Sequence, residues 1–102
     1  MNQETAVAYL EAEWEEPQGF FYRLRQGEYS PQDAARVLEM LASIDLDEEA
    51  PLERRLVSLL WYLPLFSQWQ RERVQEAGTG PHVYEQFINK LTNILEEKLG
   101  VP

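Results

Sequence analysis

The run Leu56–Trp69, LVSLLWYLPLFSQW, constrains the fold more than any other part of the chain. Between Leu56 and Phe66 only Ser58 and Pro64 fall outside the aliphatic and aromatic residues, and no other window is as apolar. A helix that is hydrophobic on every side belongs in the middle of a fold, with other helices around it. The run is shorter than the about 20 apolar residues a bilayer requires, and Arg54, Arg55, Arg71 and Arg73 bracket it closely. It therefore reads as a core helix. Pro64 removes one backbone donor and crowds the preceding turn, so the helix either kinks there or gives way to a second one. The expected halves are about 51–62 and 64–77.

The flanking segments supply the partners. Residues 3–15 predict a first helix, with Ala6, Tyr9, Leu10 and Trp14 on one side and Glu4, Glu11 and Glu15 on the other. Pro17 and Gly19 stop it. Gly19–Gly27, GFFYRLRQG, closes on a glycine suited to a helix C′ position and predicts a short helix, although its aromatic density would also suit a strand. Ser30-Pro31-Gln32-Asp33 combines an N-cap oxygen, a proline at the first helical position and an acid near the positive helix end. Ala34, Val37, Leu38, Leu41 and Ile44 then extend that helix over 31–44. Asp47, Glu48 and Glu49 would cap the central helix and fill its first turn, with Pro51 close behind. Gly78-Thr79-Gly80-Pro81 predicts a turn, and Tyr84, Phe87, Ile88, Leu91, Ile94 and Leu95 share one face of a last helix over 81–98. The expected fold is all-α: a compact single-domain bundle, residues 1–102, of about five to six helices around a Pro-kinked central helix at 56–69.

Cysteine is absent, which removes disulfides, thiolate metal sites and cysteine nucleophiles. The absence fits a reducing compartment, and the first residues carry no basic segment followed by an apolar one, so a cytoplasmic location without membrane insertion is expected. The net charge of −9 is unevenly spread. Residues 1–51 hold twelve acids and three arginines, whereas residues 52–102 hold six of each sign. Such a field repels phosphate backbones, so direct nucleic-acid binding is not expected, and it would steer a basic protein toward the N-terminal half. The plainer account is an acidic surface that maintains solubility.

Catalytic signatures are missing. No serine has a G-x-S-x-G context, and there is no P-loop, dinucleotide fingerprint or H-E-x-x-H. His82, the only histidine, stands at the start of the last helix. In Asp45-Leu46-Asp47-Glu48-Glu49, Asp45 and Asp47 match the first two ligands of an EF-hand loop. Ala50 replaces the glycine that its sharp turn needs, and Pro51 follows directly. Neither enzymatic activity nor a metal or cofactor is expected.

The stretch Glu13–Tyr29 holds Trp14, Phe20, Phe21, Tyr22 and Tyr29 beside four acids and two arginines. One account is structural: Trp14, Phe20 and Phe21 cap one end of the core while Arg23 and Arg25 pair with nearby acids. The other is functional, because tryptophan, tyrosine and arginine are the residue types that anchor protein interfaces. On that account residues 11–29 join the 45–49 tract in one partner-binding patch. It comprises Glu11, Glu13, Trp14, Glu15, Glu16, Tyr22, Glu28, Tyr29, Asp45, Asp47, Glu48 and Glu49. The acidic half would then be the working surface and the apolar run the scaffold. A homodimer formed through exposed aromatics is the alternative.

Trp14, Glu15, Pro17, Gly19 and Phe20 form W-E-x-P-x-G-F, and Leu24, Arg25, Gly27 and Tyr29 form L-R-x-G-x-[YF]. In these motifs the chain resembles small acidic immunity proteins of bacterial polymorphic-toxin and contact-dependent inhibition systems. The resemblance covers residues 14–29; elsewhere it extends only to being acidic, compact and helical. It implies a cytoplasmic protein that binds and blocks a toxin domain, often a basic nuclease.

Overall fold

A computed structural model describes residues 1–102 as six helices and no strand. They are α1 (Gln3–Glu15), α2 (Phe20–Leu24), α3 (Pro31–Ala42), α4 (Arg54–Trp69), α5 (Arg71–Glu76) and α6 (Pro81–Leu99). All six feed one core of 20 buried residues. The expected all-α bundle is what forms. The Cα radius of gyration is 13.5 Å, close to the roughly 13 Å expected of a compact chain this long.

Local chemistry accounts for most helix ends. Asn2 Oδ1 accepts the Thr5 N–H at 2.8 Å, and Ser30 Oγ accepts that of Asp33 at 3.3 Å, so α1 and α3 each start on a side-chain cap. The chain turns after α1 through Gly19, where a glycine is needed for space. A Cβ there would lie 2.4 Å from the Glu13 carbonyl oxygen and 2.8 Å from that of Ala12. Gly27 has φ +86°, the left-handed conformation that glycine adopts without strain, and it sits against the backbone of Arg73. That close approach ties the end of α2 to α5.

Two expectations about the central helix are corrected. Pro64 does not divide it: α4 runs continuously from Arg54 to Trp69. The cost of that proline is local, and the buried Leu60, Leu63 and Phe66 on either side of it in sequence hold both halves against the same core. The break falls instead at Gln70, whose N–H is shared between Phe66 and Ser67 carbonyls at 3.2 and 3.3 Å. The acidic tract does not begin α4 either. Asp47 Oδ1 accepts the Glu49 N–H at 3.0 Å in a separate turn. Gln3 of α1 then captures the following segment, donating to the Pro51 carbonyl at 3.1 Å and accepting the Glu53 N–H at 2.7 Å. With that segment held against α1, the helix starts only at Arg54.

Contacts between distant parts of the chain give the layout. Gln3 meets Glu53, Glu11 meets Arg55 and Trp14 meets Phe66, so α1 and α4 run in the same sense. Arg36 reaches Tyr9 and Glu13 while Asp45 donates its N–H to the Met1 carbonyl, which makes α3 antiparallel to α1. The buried Tyr84 hydroxyl donates to the Ser67 carbonyl at 2.6 Å, setting the start of α6 against the end of α4. Lys98 Nζ donates to the Ile44 carbonyl at the other end of α6.

The central helix is not enclosed. Leu56, Leu59, Leu60, Leu63 and Phe66 face the core, packed by α1 and α6. On the remaining side Trp61 is 56% exposed and Trp69 61%. Six short helices leave α4 as a wall of the bundle, with one apolar side bare. No helix is long and apolar enough to cross a membrane.

Candidate protein-binding face

The structure divides the twelve residues expected to bind a partner. Glu13 is only 7% exposed, and both its carboxylate oxygens accept from Arg36 Nη2, at 3.2 and 3.3 Å. Trp14 is half-buried, stacked on Phe21 at 4.9 Å and edge-on to Phe66 at 4.6 Å. Tyr29 is half-buried among Phe20, Tyr84 and Phe87. Glu13 and Tyr29 are thus absorbed by the fold, and Trp14 offers only one edge. The reason is geometric: α2 turns back beneath α1, which brings this aromatic stretch over one end of the core. Trp14, Phe20 and Phe21 pack over one end of the core and Arg23 pairs with Glu28 and Asp33, as the structural account expects, but Arg25 meets no acid.

The two acidic tracts are also not one patch. Glu11, Glu15 and Glu16 belong to the C-terminal end of α1, whereas Asp45 and Asp47 border Asn2, Gln3 and Glu4 at its start. The 13 residues of α1 lie between them, about 20 Å at 1.5 Å per residue. Tyr22 is partly exposed, and Glu28 is exposed but bound to Arg23 at 3.1 Å. Glu15, Glu16, Asp47, Glu48 and Glu49 are exposed and make no ion pair.

A different set of residues forms the open apolar surface. Tyr62 lies between Trp61 and Trp69, with ring centroids 5.6 and 5.9 Å away, and Trp14 joins at 6.1 Å. Beside this row an open groove of about 380 Å³ lies between Trp14, Arg25, Arg55, Ser58, Trp61 and Tyr62. The Arg25 guanidinium stands 5.5 Å from the Trp14 ring and 5.8 Å from that of Phe66, within cation–π range. Arg55 is held by Glu11 at 3.0 Å, and Glu15 follows Glu11 one turn along α1. The carboxylate nearest this groove is thus engaged in an ion pair.

Sequence reasoning brings Trp69 out toward Arg71 and Arg73, where the apolar pattern gives way to charge, and Trp69 is exposed; it missed Trp61, Tyr62, Arg25 and Arg55 as parts of the same surface. Two signals were present. Positions 56, 59, 60, 63 and 66 form a complete helical stripe, which leaves 58, 61, 62, 65 and 69 as a second stripe on the opposite side. Tryptophan is also seldom buried completely, so two of them in one short run need an outlet.

The titrating groups serve structure. Burial, reinforced by the Glu13 charge, pushes the Tyr9 phenol up to about 12. Burial opposes the Arg36 charge, but the hydrogen bond and charge of Glu13 outweigh it and hold the guanidinium above its usual value. Tyr29 and Tyr84 are raised by burial. His82 is exposed. No group of three or more histidine or carboxylate side chains converges to hold a metal. No protein family, curated protein or solved structure matches the chain.

Proposed function

We propose that this protein is a non-enzymatic binding module that captures another protein, acting as an immunity protein that neutralises a basic toxin domain. The Trp61–Tyr62–Trp69 row carries the reading. Two tryptophans more than half exposed, set within one aromatic row, leave apolar area whose burial is worth about 3 kcal/mol per ring. Aromatic anchors of this kind dominate interface energetics. Seven carboxylates of the first 51 residues (Glu4, Glu15, Glu16, Glu39, Asp47, Glu48 and Glu49) have no cationic partner and would steer a basic domain toward the molecule. The local resemblance at residues 14–29 agrees with this role.

The test is capture of the partner from the native cell lysate, followed by kinetics with the purified pair. W61A and W69A should accelerate dissociation, whereas lysine at Asp47, Glu48 and Glu49 should slow association, more so at low salt. Capture unchanged by all five substitutions would sink the proposal. The exposed tryptophans also favour a second reading, a homodimer through α4. Light scattering across a concentration series separates the two, since only the dimer reading requires a mass that doubles and reverts in W61A/W69A.

A further inference from the structure

The groove beside Trp61 carries a charge opposite to that of the whole protein. The chain has net charge −9, yet the residues lining this groove include Arg25 and Arg55 and no acid; Glu11 holds Arg55 through Nε at the groove's edge, so the unpaired positive charge is that of Arg25. Arg25 meets no carboxylate, although seven unpaired ones are present in the same half of the chain. Arg73, likewise without a carboxylate, donates to the Arg25 carbonyl at 2.6 Å and places a further cation nearby. Arg25 is exposed, and its guanidinium lies over the Trp14 and Phe66 rings. A planar guanidinium stacked in this way presents its donor fork to a carboxylate at reduced entropic cost. Trp61 and Tyr62 form the apolar wall next to it.

We infer that this groove accepts an acidic, apolar segment of the protein partner, with one carboxylate on Arg25 and Arg55 and an adjoining aromatic or aliphatic side chain against Trp61 and Tyr62. The inference rests on the reading that this face docks a protein, and it adds the chemistry of the docked segment. Aromatics beside arginines also serve single-stranded nucleic acids, but the field of a strongly acidic protein disfavours a polyanion, whereas a short peptide brings only a few charges. A basic toxin domain and an acidic segment are compatible in one partner, because the unpaired tract at Asp47 lies by the start of α1 and the arginine groove by its end.

The probe is a fluorescein-labelled hexapeptide alternating glutamate and phenylalanine, compared with its glutamine and lysine counterparts and with a short oligothymidylate. Polarisation should show saturable binding of the glutamate peptide, weakened by salt, with the glutamine peptide about tenfold weaker, the effect of losing one charge-assisted contact. R25Q should weaken the glutamate peptide by a similar factor, and R55Q, whose guanidinium is already held by Glu11, by less. R25K, which keeps the charge but not the fork, should retain part of the affinity. Equal binding of the glutamine or lysine peptide, preference for the oligonucleotide, or no saturable binding would overturn the inference. If W61A abolishes capture of the native partner while R25Q and R55Q leave it unchanged, the docking face stands and the acidic-segment inference falls.

Discussion

Arg36→Met should expose the cost of stranding a carboxylate in the core, and it tests the structural role assigned to Glu13. The substitution keeps an unbranched apolar stem but removes the guanidinium that donates to both Glu13 oxygens and, through Nη1, to the Tyr9 hydroxyl at 3.0 Å. Removing one partner of a fully buried ion pair costs about 3–5 kcal/mol, chiefly because the other charge is left uncompensated. Glu13 has a side chain only 9% exposed, but that of Arg36 is 43% exposed, so water enters where the guanidinium was. A loss of about 2 kcal/mol is therefore expected, equivalent to a drop in Tm of about 10 °C for a domain of this size. The assay is urea unfolding followed by far-UV circular dichroism at neutral pH. Glu13→Gln supplies the control, since a neutral amide has less need of a cation. It should cost less than R36M alone and should restore at least half of the loss when combined with it. The reasoning is refuted if R36M matches the parent, or if E13Q gives no recovery in the R36M background.

Three further outcomes are expected. Gly19→Ala places a methyl group against the Glu13 and Ala12 carbonyls, so it should destabilise by about 2 kcal/mol or more in the same assay; a neutral result would mean that the α1–α2 corner opens easily. Ser67 Oγ is buried without a hydrogen-bond partner, so Ser67→Ala should be neutral or stabilising, whereas Tyr84→Phe removes a buried bond to the Ser67 carbonyl and should cost about 1–2 kcal/mol; the opposite order of melting temperatures would contradict this. Tyr9 ionises in the folded state at about 12 rather than 10.0, and burial also raises Tyr29 and Tyr84. Stability from these phenols is complete below the unfolded value near 10 and is lost as pH rises through the folded values. Phenolate absorbance and circular dichroism recorded together should show late tyrosine ionisation coinciding with unfolding; full ionisation of all tyrosines near 10 with the fold intact would contradict it.

The helices themselves were largely legible from the chain. Ser30-Pro31 marks the start of α3, Gly27 takes positive φ where a helix-ending glycine was expected, and the stripes of α3 and α6 name their buried residues. Pro64 misled because the rule describes a cost, and surrounding contacts decide whether a helix absorbs it. The acidic tract misled because Gln3, distant in sequence, claims the backbone of Pro51 and Glu53. The open face was harder still. An all-apolar helix does not indicate which of its sides will lack a neighbour, and only the placement of α1 and α6 decides that. The same limit applies to Glu13 and Tyr29, whose residue types suit an interface and a core equally well.

The bare side of α4 has an evolutionary consequence. The residues that anchor the helix, Leu56, Leu59, Leu60, Leu63 and Phe66, are distinct from those it presents outward, Ser58, Trp61, Gln68 and Trp69. Substitution in the outward set can alter what the protein recognises while the bundle stays folded, so descendants of this chain can diverge in specificity without first gaining stability. Within the aromatic row, Tyr62 of α4 and Trp14 of α1 are also packed against the core. They are the two positions at which a change of partner would also be a change of fold stability.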